Sequence, residues 1–161
     1  TFLDVPYEAF GKMKIPEVLK DTTLLKLITP LPSQEQIVIN QSLPTLLYNF
    51  YNLDPNWKKN ISANRILFLE PSLFHDYPVC QNTIDFIIKF SKENLENIQI
   101  YVGEFKELTS TYNLVDIYYK EHPLNNHYKG IQESRDWMFE VQGYFSSFFG
   151  FWKKCKKQLK Y

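Results

Sequence analysis

The sequence has no excess of charge of either sign and very little cysteine. Its 18 Lys and Arg residues balance its 18 Asp and Glu residues, so the formal net charge is zero. Domains that bind DNA through electrostatics usually carry a strong basic excess, which argues against that class. The two cysteines, Cys80 and Cys155, are too few for a disulfide framework, and we expect both to be reduced thiols.

Long apolar runs and a secretory leader are also missing. No apolar run approaches the ~20 residues that a transmembrane helix needs, so we expect no membrane contact. The first residues, Thr1–Asp4, lack the charged and apolar regions of a signal peptide, and no initiator methionine opens the chain. We therefore expect a cytoplasmic location and a chain that begins inside a longer polypeptide.

Aromatic residues are the class in which the chain is rich, at 17% of the sequence. A small core rarely needs so many, so the surplus is expected to cover an interface or to stack on a ligand. Eight of them lie near the carboxyl terminus: Trp137, Phe139, Tyr144, Phe145, Phe148, Phe149, Phe151 and Trp152. Their helical spacing favours packing on the sheet or on a neighbouring domain. The lysines that follow leave stacking of single-stranded bases as the alternative.

Prolines divide the chain into an approach segment and a regular part. Pro6 and Pro16 interrupt the first thirty residues, and Pro30-Leu31-Pro32-Ser33 is typical of an extended linker. We assign residues 1–30 to an approach segment or linker from a preceding domain. Residues 31–161 are assigned to one α/β domain that ends in an aromatic helix.

The regular part alternates apolar runs with helical patterns. Four segments are predicted to form strands: residues 37–39, 66–69, 98–102 and 115–119, of which the first has the composition of a strand buried on both faces. Helices are predicted from a cap at Ser42 through Phe50, around Ile84–Glu93, and over about Phe105–Tyr112. This alternation implies parallel strands joined by crossovers. The predicted fold class is therefore α/β, a three-layer sandwich with a Rossmann-like parallel sheet of four or five strands.

Polar residues stand where these predicted strands end. Open parallel sheets bind ligands at the carboxyl ends of their strands, near a topological switch point. The candidate cofactor-binding residues are therefore Asn40, Gln41, Gly103, Glu104, Glu121 and His122. The alternative is that they cap helices and meet water. The turn after the first predicted strand has no glycine for a phosphate loop, and we assign no catalytic residue.

Two weaker candidates come from histidine and cysteine. His122 and His127, with Glu121 nearby, match no closed zinc pattern, so no metal site is predicted. Cys155 stands among lysines, which are able to activate a thiol, but an unreactive thiol on a solvated lysine face is the preferred interpretation.

Several segments together resemble the α/β antenna domain of photolyases and cryptochromes. The resemblance lies in Arg65-Ile66-Leu67-Phe68-Leu69-Glu70-Pro71, Thr83-Ile84-Asp85-Phe86-Ile87-Ile88, Ile98-Gln99-Ile100-Tyr101-Val102-Gly103-Glu104-Phe105-Lys106-Glu107-Leu108 and Val115-Asp116-Ile117-Tyr118-Tyr119-Lys120-Glu121-His122-Pro123. Thr1–Glu8 also resembles the exit from the flavin-binding helical region in a group of bacterial photolyase-like flavoproteins. In that group the α/β domain follows the helical region.

The resemblance implies a strand order of 3-2-1-4 and a parent protein that binds FAD. It implies light-driven repair of pyrimidine dimers by the parent, a lyase, or blue-light signalling. The partners would be the helical FAD-binding domain of the same polypeptide and, through the parent, DNA. The resemblance also leaves an antenna chromophore of unknown kind open for this domain, although the chain lacks the Arg-rich stretch that follows the first strand in the family. The alternatives are a stand-alone nucleotide or sugar-phosphate enzyme, which requires a deep crevice, and a pure interaction module.

Overall fold

The computed structural model describes residue 11, residue 14, residues 16–20 and residues 26–159. The resemblance noted at Thr1–Glu8 lies outside these residues. Within the approach segment, Pro16 precedes a single 3₁₀ turn over Glu17–Leu19, as its fixed backbone angle favours at a helix start.

Five strands form one sheet. They are β1 (Pro44–Tyr48), β2 (Asn64–Leu69), β3 (Ile98–Val102), β4 (Val115–Lys120) and β5 (Ile131–Glu133). All neighbouring pairs are parallel, and the order is β3-β2-β1-β4-β5. The α/β class and the parallel sheet are confirmed, and the fifth strand adds to the 3-2-1-4 order. The switch point lies between β1 and β4, because the chain returns past β1 after β3.

Within the described residues, four α-helices accompany the sheet. They are α1 (Pro71–Asp76), α2 (Gln81–Asn94), α3 (Phe105–Thr111) and α4 (Phe148–Cys155). Alternate residues of β2 face opposite sides of the sheet. Leu67 and Leu69 pack in one cluster with residues of α2, whereas Ile66 and Phe68 pack in another with residues of α3. The helices therefore lie on both faces, which gives the three layers predicted.

The position of the first strand was predicted wrongly. The central strand is Pro44–Tyr48, where the sequence indicated a helix, and residues 37–39 are extended but outside the sheet. A central strand needs a run that is buried on both faces, and Leu46, Leu47 and Tyr48 are all fully buried. Pro44 begins this strand, the position at which a missing N–H is tolerated.

The segment that was predicted as a strand instead covers the edge of the sheet. The side chain of Gln99 in β3 donates to the backbone carbonyl of Val38 at 2.8 Å and accepts from its N–H at 2.7 Å. Gln34 Oε1 accepts from the N–H of Val102 at 2.5 Å. Exposed strand edges invite pairing with other chains, so these bonds protect β3. Ile37, which was assigned to the sheet, packs into the core from this segment.

Turns, and not a helix, connect β1 to β2. Trp57 from this connection is buried against Tyr48, with the two ring centroids 5.0 Å apart in edge contact. Its indole N–H donates to Glu133 of β5 at 2.8 Å. One aromatic side chain thus covers part of β1 where a crossover helix was expected.

Candidate functional site at the carboxyl edge of the sheet

A buried carboxylate marks the carboxyl edge of the sheet. Glu70 follows the last residue of β2 and is only 1% exposed. Its Oε1 accepts from the backbone N–H of Phe105 at 3.2 Å and lies 2.9 Å from His127 Nε2. Its Oε2 accepts from the hydroxyl of Tyr128 at 2.8 Å. Buried carboxylates need such partners, because an unpaired charge is costly to desolvate.

Three elements bring these groups together. Glu70 stands at the N-cap position of α1, with Pro71 in the first turn. Phe105 is the first residue of α3, so its N–H has no partner within the helix and points at the carboxylate. His127 and Tyr128 come from the loop between β4 and β5. The carboxylate therefore ties the ends of three segments to one point.

Tyr128 links this carboxylate to the central strand. Its hydroxyl donates to Glu70 and accepts from Nδ2 of Asn49 at 2.9 Å. Asn49 directly follows β1. The ring of Tyr128 stacks on that of Phe105, with centroids 4.8 Å apart. Burial, together with the negative charge of Glu70, raises the pKa of Tyr128 far above its ordinary value. The residue therefore stays a neutral phenol that donates to the carboxylate.

A second pair of rings fills the crevice between β1 and β4. Tyr51 stacks on His122, with centroids 3.7 Å apart and planes within 15°. Burial raises the pKa of Tyr51 above its ordinary range. Burial lowers the pKa of His122, and the charge of Arg135 adds to that effect. The neutral ring accepts from the N–H of Leu124 at Nδ1, 3.2 Å away, and so caps the following 3₁₀ turn.

The turn after β1 holds buried polar atoms without a partner among the described residues. They are Asn49 Oδ1, the hydroxyl of Tyr51 and Asn52 Nδ2. An unpaired buried polar group costs about 1–3 kcal/mol, so such groups are uncommon in protein interiors. The cluster around Tyr128 is thus polar and tightly packed, with donor and acceptor capacity left over.

His127 is the member of this cluster that reaches solvent. Its side chain is 54% exposed, whereas that of Glu70 is 1% exposed. The Glu70 carboxylate orients the imidazole through Nε2. No pattern in the sequence pairs these two residues, which are 57 positions apart.

Four of the six predicted site residues lie at this edge. Glu121 and His122 follow β4, and Gly103 and Glu104 follow β3. Glu104 caps α3 and accepts from the N–H and hydroxyl of Ser72 at 2.9 and 2.7 Å. A side chain at Gly103 would come within 2.9 Å of the Tyr101 ring, which explains the glycine. These two residues join α3 to α1 structurally.

Glu121 lies in an open groove beside Trp137. Its Oε1 accepts from the Trp137 indole N–H at 2.8 Å and from the backbone N–H of Arg135 at 3.2 Å. The bond from Trp137 has the largest effect on the pKa of Glu121, and together the two bonds hold that pKa below its ordinary value. Arg135 in turn lies over the indole ring, 4.3 Å from its centroid. The groove measures about 340 Å³ and is shallow, with these groups already paired to one another.

Asn40 and Gln41 were predicted at the carboxyl edge and lie at the opposite one. Asn40 exchanges hydrogen bonds of 2.9 Å with the side chain of Asn64, the first residue of β2. The error follows from the misplaced first strand: these residues precede β1 instead of following it. Asn49 takes the place at the switch point that was expected for Asn40.

No metal centre is apparent in the part of the chain that the structure describes, where no group of three or more His, Cys, Asp or Glu side chains is arranged to hold an ion. His122 and His127 each use a ring nitrogen in the contacts above. Among the same residues no helix is both long and apolar enough to cross a bilayer.

Comparison with known proteins finds no relative: no family model, curated protein or solved structure matches the chain. The assignment of a function therefore depends on the residues themselves. Glu70 was visible in the sequence as the acidic end of an apolar run. Asn49, Tyr51 and Tyr128 had no such signal, because Asn49 and Tyr51 fell in or beside the predicted helix and Tyr128 in a polar loop.

Proposed function

We propose that this chain is an accessory α/β domain of a photolyase-like FAD protein that takes part in light-driven DNA repair or blue-light sensing. In this proposal the chain itself carries no catalytic site. The resemblance of its segments to antenna domains supports the proposal. The strand order agrees with that family, although many doubly wound folds share it.

The observation that carries the proposal is the filled crevice. An enzyme acting on nucleotides or sugar phosphates needs a deep, polar crevice at the switch point. Here Tyr51 and His122 stack within that crevice, and Tyr128, Asn49 and Glu70 bond to one another behind them. The neighbouring groove, which His122 lines together with Glu121 and Trp137, is shallow. Both observations favour an accessory role over the enzyme alternative.

The same side chains do not fit an antenna chromophore. A planar chromophore in this crevice would have to displace the Tyr51–His122 stack and break the cap that His122 provides. We therefore include no chromophore in the proposed role, and FAD belongs to the helical domain of the parent.

Exposed apolar surface supports a neighbouring domain. Trp137, Tyr144 and Phe149 are exposed near the carboxyl terminus, as both the accessory role and the interaction-module alternative require. A second apolar surface lies where the chain enters the domain. Leu27 and Ile28 are exposed beside a groove of about 310 Å³ against α1. We assign this entry groove to contact with the helical FAD-binding domain, because it adjoins the approach segment.

The absorption spectrum of the full-length polypeptide tests the proposal. The polypeptide that contains this chain is purified in the dark and compared with the 161-residue chain alone. We expect a flavin spectrum in the full-length protein and none in the chain. A colourless full-length protein contradicts the flavoprotein assignment, and a nucleotide or sugar phosphate that binds the chain alone would support the enzyme alternative.

A further inference from the structure

The carboxyl-terminal helix presents aromatic rings and lysines to solvent together. We call Tyr144, Phe148, Phe149, Trp152, Lys153 and Lys156 the aromatic–lysine surface. Tyr144 is 92% exposed and Phe149 is 79% exposed. The rings of Phe148 and Trp152 lie nearly parallel, with planes within 7° and centroids 6.3 Å apart. Large aromatic side chains left this open commonly mark a surface that binds something.

The side of α4 that faces away from this surface packs against the rest of the segment. Cys155 is fully buried and Phe151 is half-buried, so these residues hold the helix to the rest of the segment. Trp152 also meets the edge of Phe139, with ring centroids 6.1 Å apart, and it remains 37% exposed. Phe148 and Phe149 are 66% and 79% exposed.

Lysines stand among these rings and not opposite them. Phe149 and Lys153 are four residues apart, and so are Trp152 and Lys156, which makes each pair neighbours on a helical surface. Membrane-surface helices instead separate an apolar face from a charged one. A strand of nucleic acid needs flat rings for its bases and cations beside them for its phosphates. The interleaved rings and lysines therefore fit a strand of nucleic acid better than a membrane surface.

The charge of this region differs from that of the whole chain. Residues 141–159 contain Lys153, Lys154, Lys156 and Lys157 and no acidic residue, although the chain is neutral overall. Among the described residues none of these lysines forms an ion pair with a carboxylate. Lys154 lies over the ring of Phe145, 4.8 Å from its centroid. The region therefore complements an anionic partner.

We propose that the aromatic–lysine surface binds single-stranded nucleic acid, with unpaired bases stacked on Phe149 and on the exposed face of Trp152. Lys153 and Lys156 contact the phosphates. Binding is expected to be tolerant of sequence, because every base offers a flat face. It does not require a flavin-binding neighbour, so it can fail or succeed independently of the function proposed above.

Fluorescence anisotropy of a labelled oligothymidylate of roughly 16 nucleotides tests this binding with the complete 161-residue chain. We expect Phe149→Ala and Trp152→Ala each to weaken binding about fivefold or more, the effect of losing one stacked base. Phe86→Ala is the matched control, since Phe86 is 65% exposed on α2 and lies outside the surface. It should bind as the unaltered chain does.

Salt dependence provides a second readout that does not rely on the aromatic variants. Removal of one lysine that neutralises a phosphate should reduce the slope of log affinity against log salt by about 0.7. We expect this change for Lys153→Gln and for Lys156→Gln. An equally weakened affinity in Phe86→Ala, or equal binding to a duplex of the same length, contradicts base stacking. Binding to phosphatidylserine vesicles without binding to the oligonucleotide assigns the surface to membranes and overturns the proposal.

Discussion

At the scale of single residues, Glu70 shows how one buried charge organises the carboxyl edge. It accepts from a helix N-terminus, from a tyrosine and from a histidine that reaches solvent. Two of these donors, His127 and Tyr128, come from the loop after β4, and the third comes from the start of α3. The carboxylate is thus the point at which α3 and the loop after β4 are fixed to β2.

Replacement of this carboxylate should be among the more damaging changes in the chain. Glu70→Leu leaves the N–H of Phe105 and the hydroxyl proton of Tyr128 buried without their acceptor. At about 1–3 kcal/mol for each of these two groups, we expect the free energy of unfolding to fall by roughly 2–6 kcal/mol. Urea denaturation measures this decrease. Glu93→Leu, which removes an exposed carboxylate on α2 paired with Lys89, should have a far smaller effect. Equal decreases in both variants would show that the buried contacts contribute little.

His122 should make stability depend on pH near neutrality. Burial lowers its pKa in the folded chain, so the unfolded chain takes up a proton first, near the ordinary value of about 6.5. The contribution of neutral His122 to the free energy of unfolding is therefore fully present above about pH 6.5 and is lost as the pH falls below that value. Protonation also removes the acceptor that Nδ1 offers to Leu124.

His122→Asn separates this titration from the cap. Asparagine does not titrate and is able to accept the same N–H bond. We expect the unfolding free energy of the variant to fall less than that of the unaltered chain between about pH 7.5 and about pH 5.5. Thermal or urea unfolding at several pH values measures the difference. An unchanged pH profile would mean that other groups cause the acid loss of stability.

At the scale of elements, most of the sheet could be predicted because its strands are short segments rich in apolar and β-branched residues. Residues 66–69, 98–102 and 115–119 coincide with β2, β3 and β4, and the helix around Ile84 is α2. Apolar periodicity identifies buried elements of this kind. These strands lead directly to Gly103, Glu104, Glu121 and His122, so four of the candidate site residues were placed at the correct edge.

The first strand could not be assigned in the same way. Leu43, Leu46, Leu47 and Phe50 have helical spacing, and Ile37-Val38-Ile39 has the composition of a strand. The choice between them depends on tertiary contacts. Gln99 and Gln34 hold the second segment at the edge of β3, and only the first segment lies between β2 and β4. Composition alone does not contain that information, so Asn40 was placed where Asn49 lies.

At the scale of the whole molecule, the entry groove and the aromatic–lysine surface are two exposed surfaces of different character. The entry groove beside Leu27 and Ile28 is apolar, whereas the aromatic–lysine surface adds positive charge to its rings. Surfaces that differ in this way suit different partners. The entry groove suits a folded domain, and the aromatic–lysine surface suits an anionic chain. We therefore assign the two surfaces to two partners.

The proposed contact between the entry groove and a flavin-binding domain can be tested by comparing two proteins. Ile28 is 72% exposed in this chain, so Ile28→Glu should change the unfolding temperature of the 161-residue chain little. In the full-length polypeptide the same change would bury a charge in an apolar contact and should lower that temperature by several degrees. Val38→Glu, at a site that is 77% exposed and away from the groove, is the control and should act alike in both proteins. If Ile28→Glu also acts alike in both, the entry groove is not covered by the neighbouring domain.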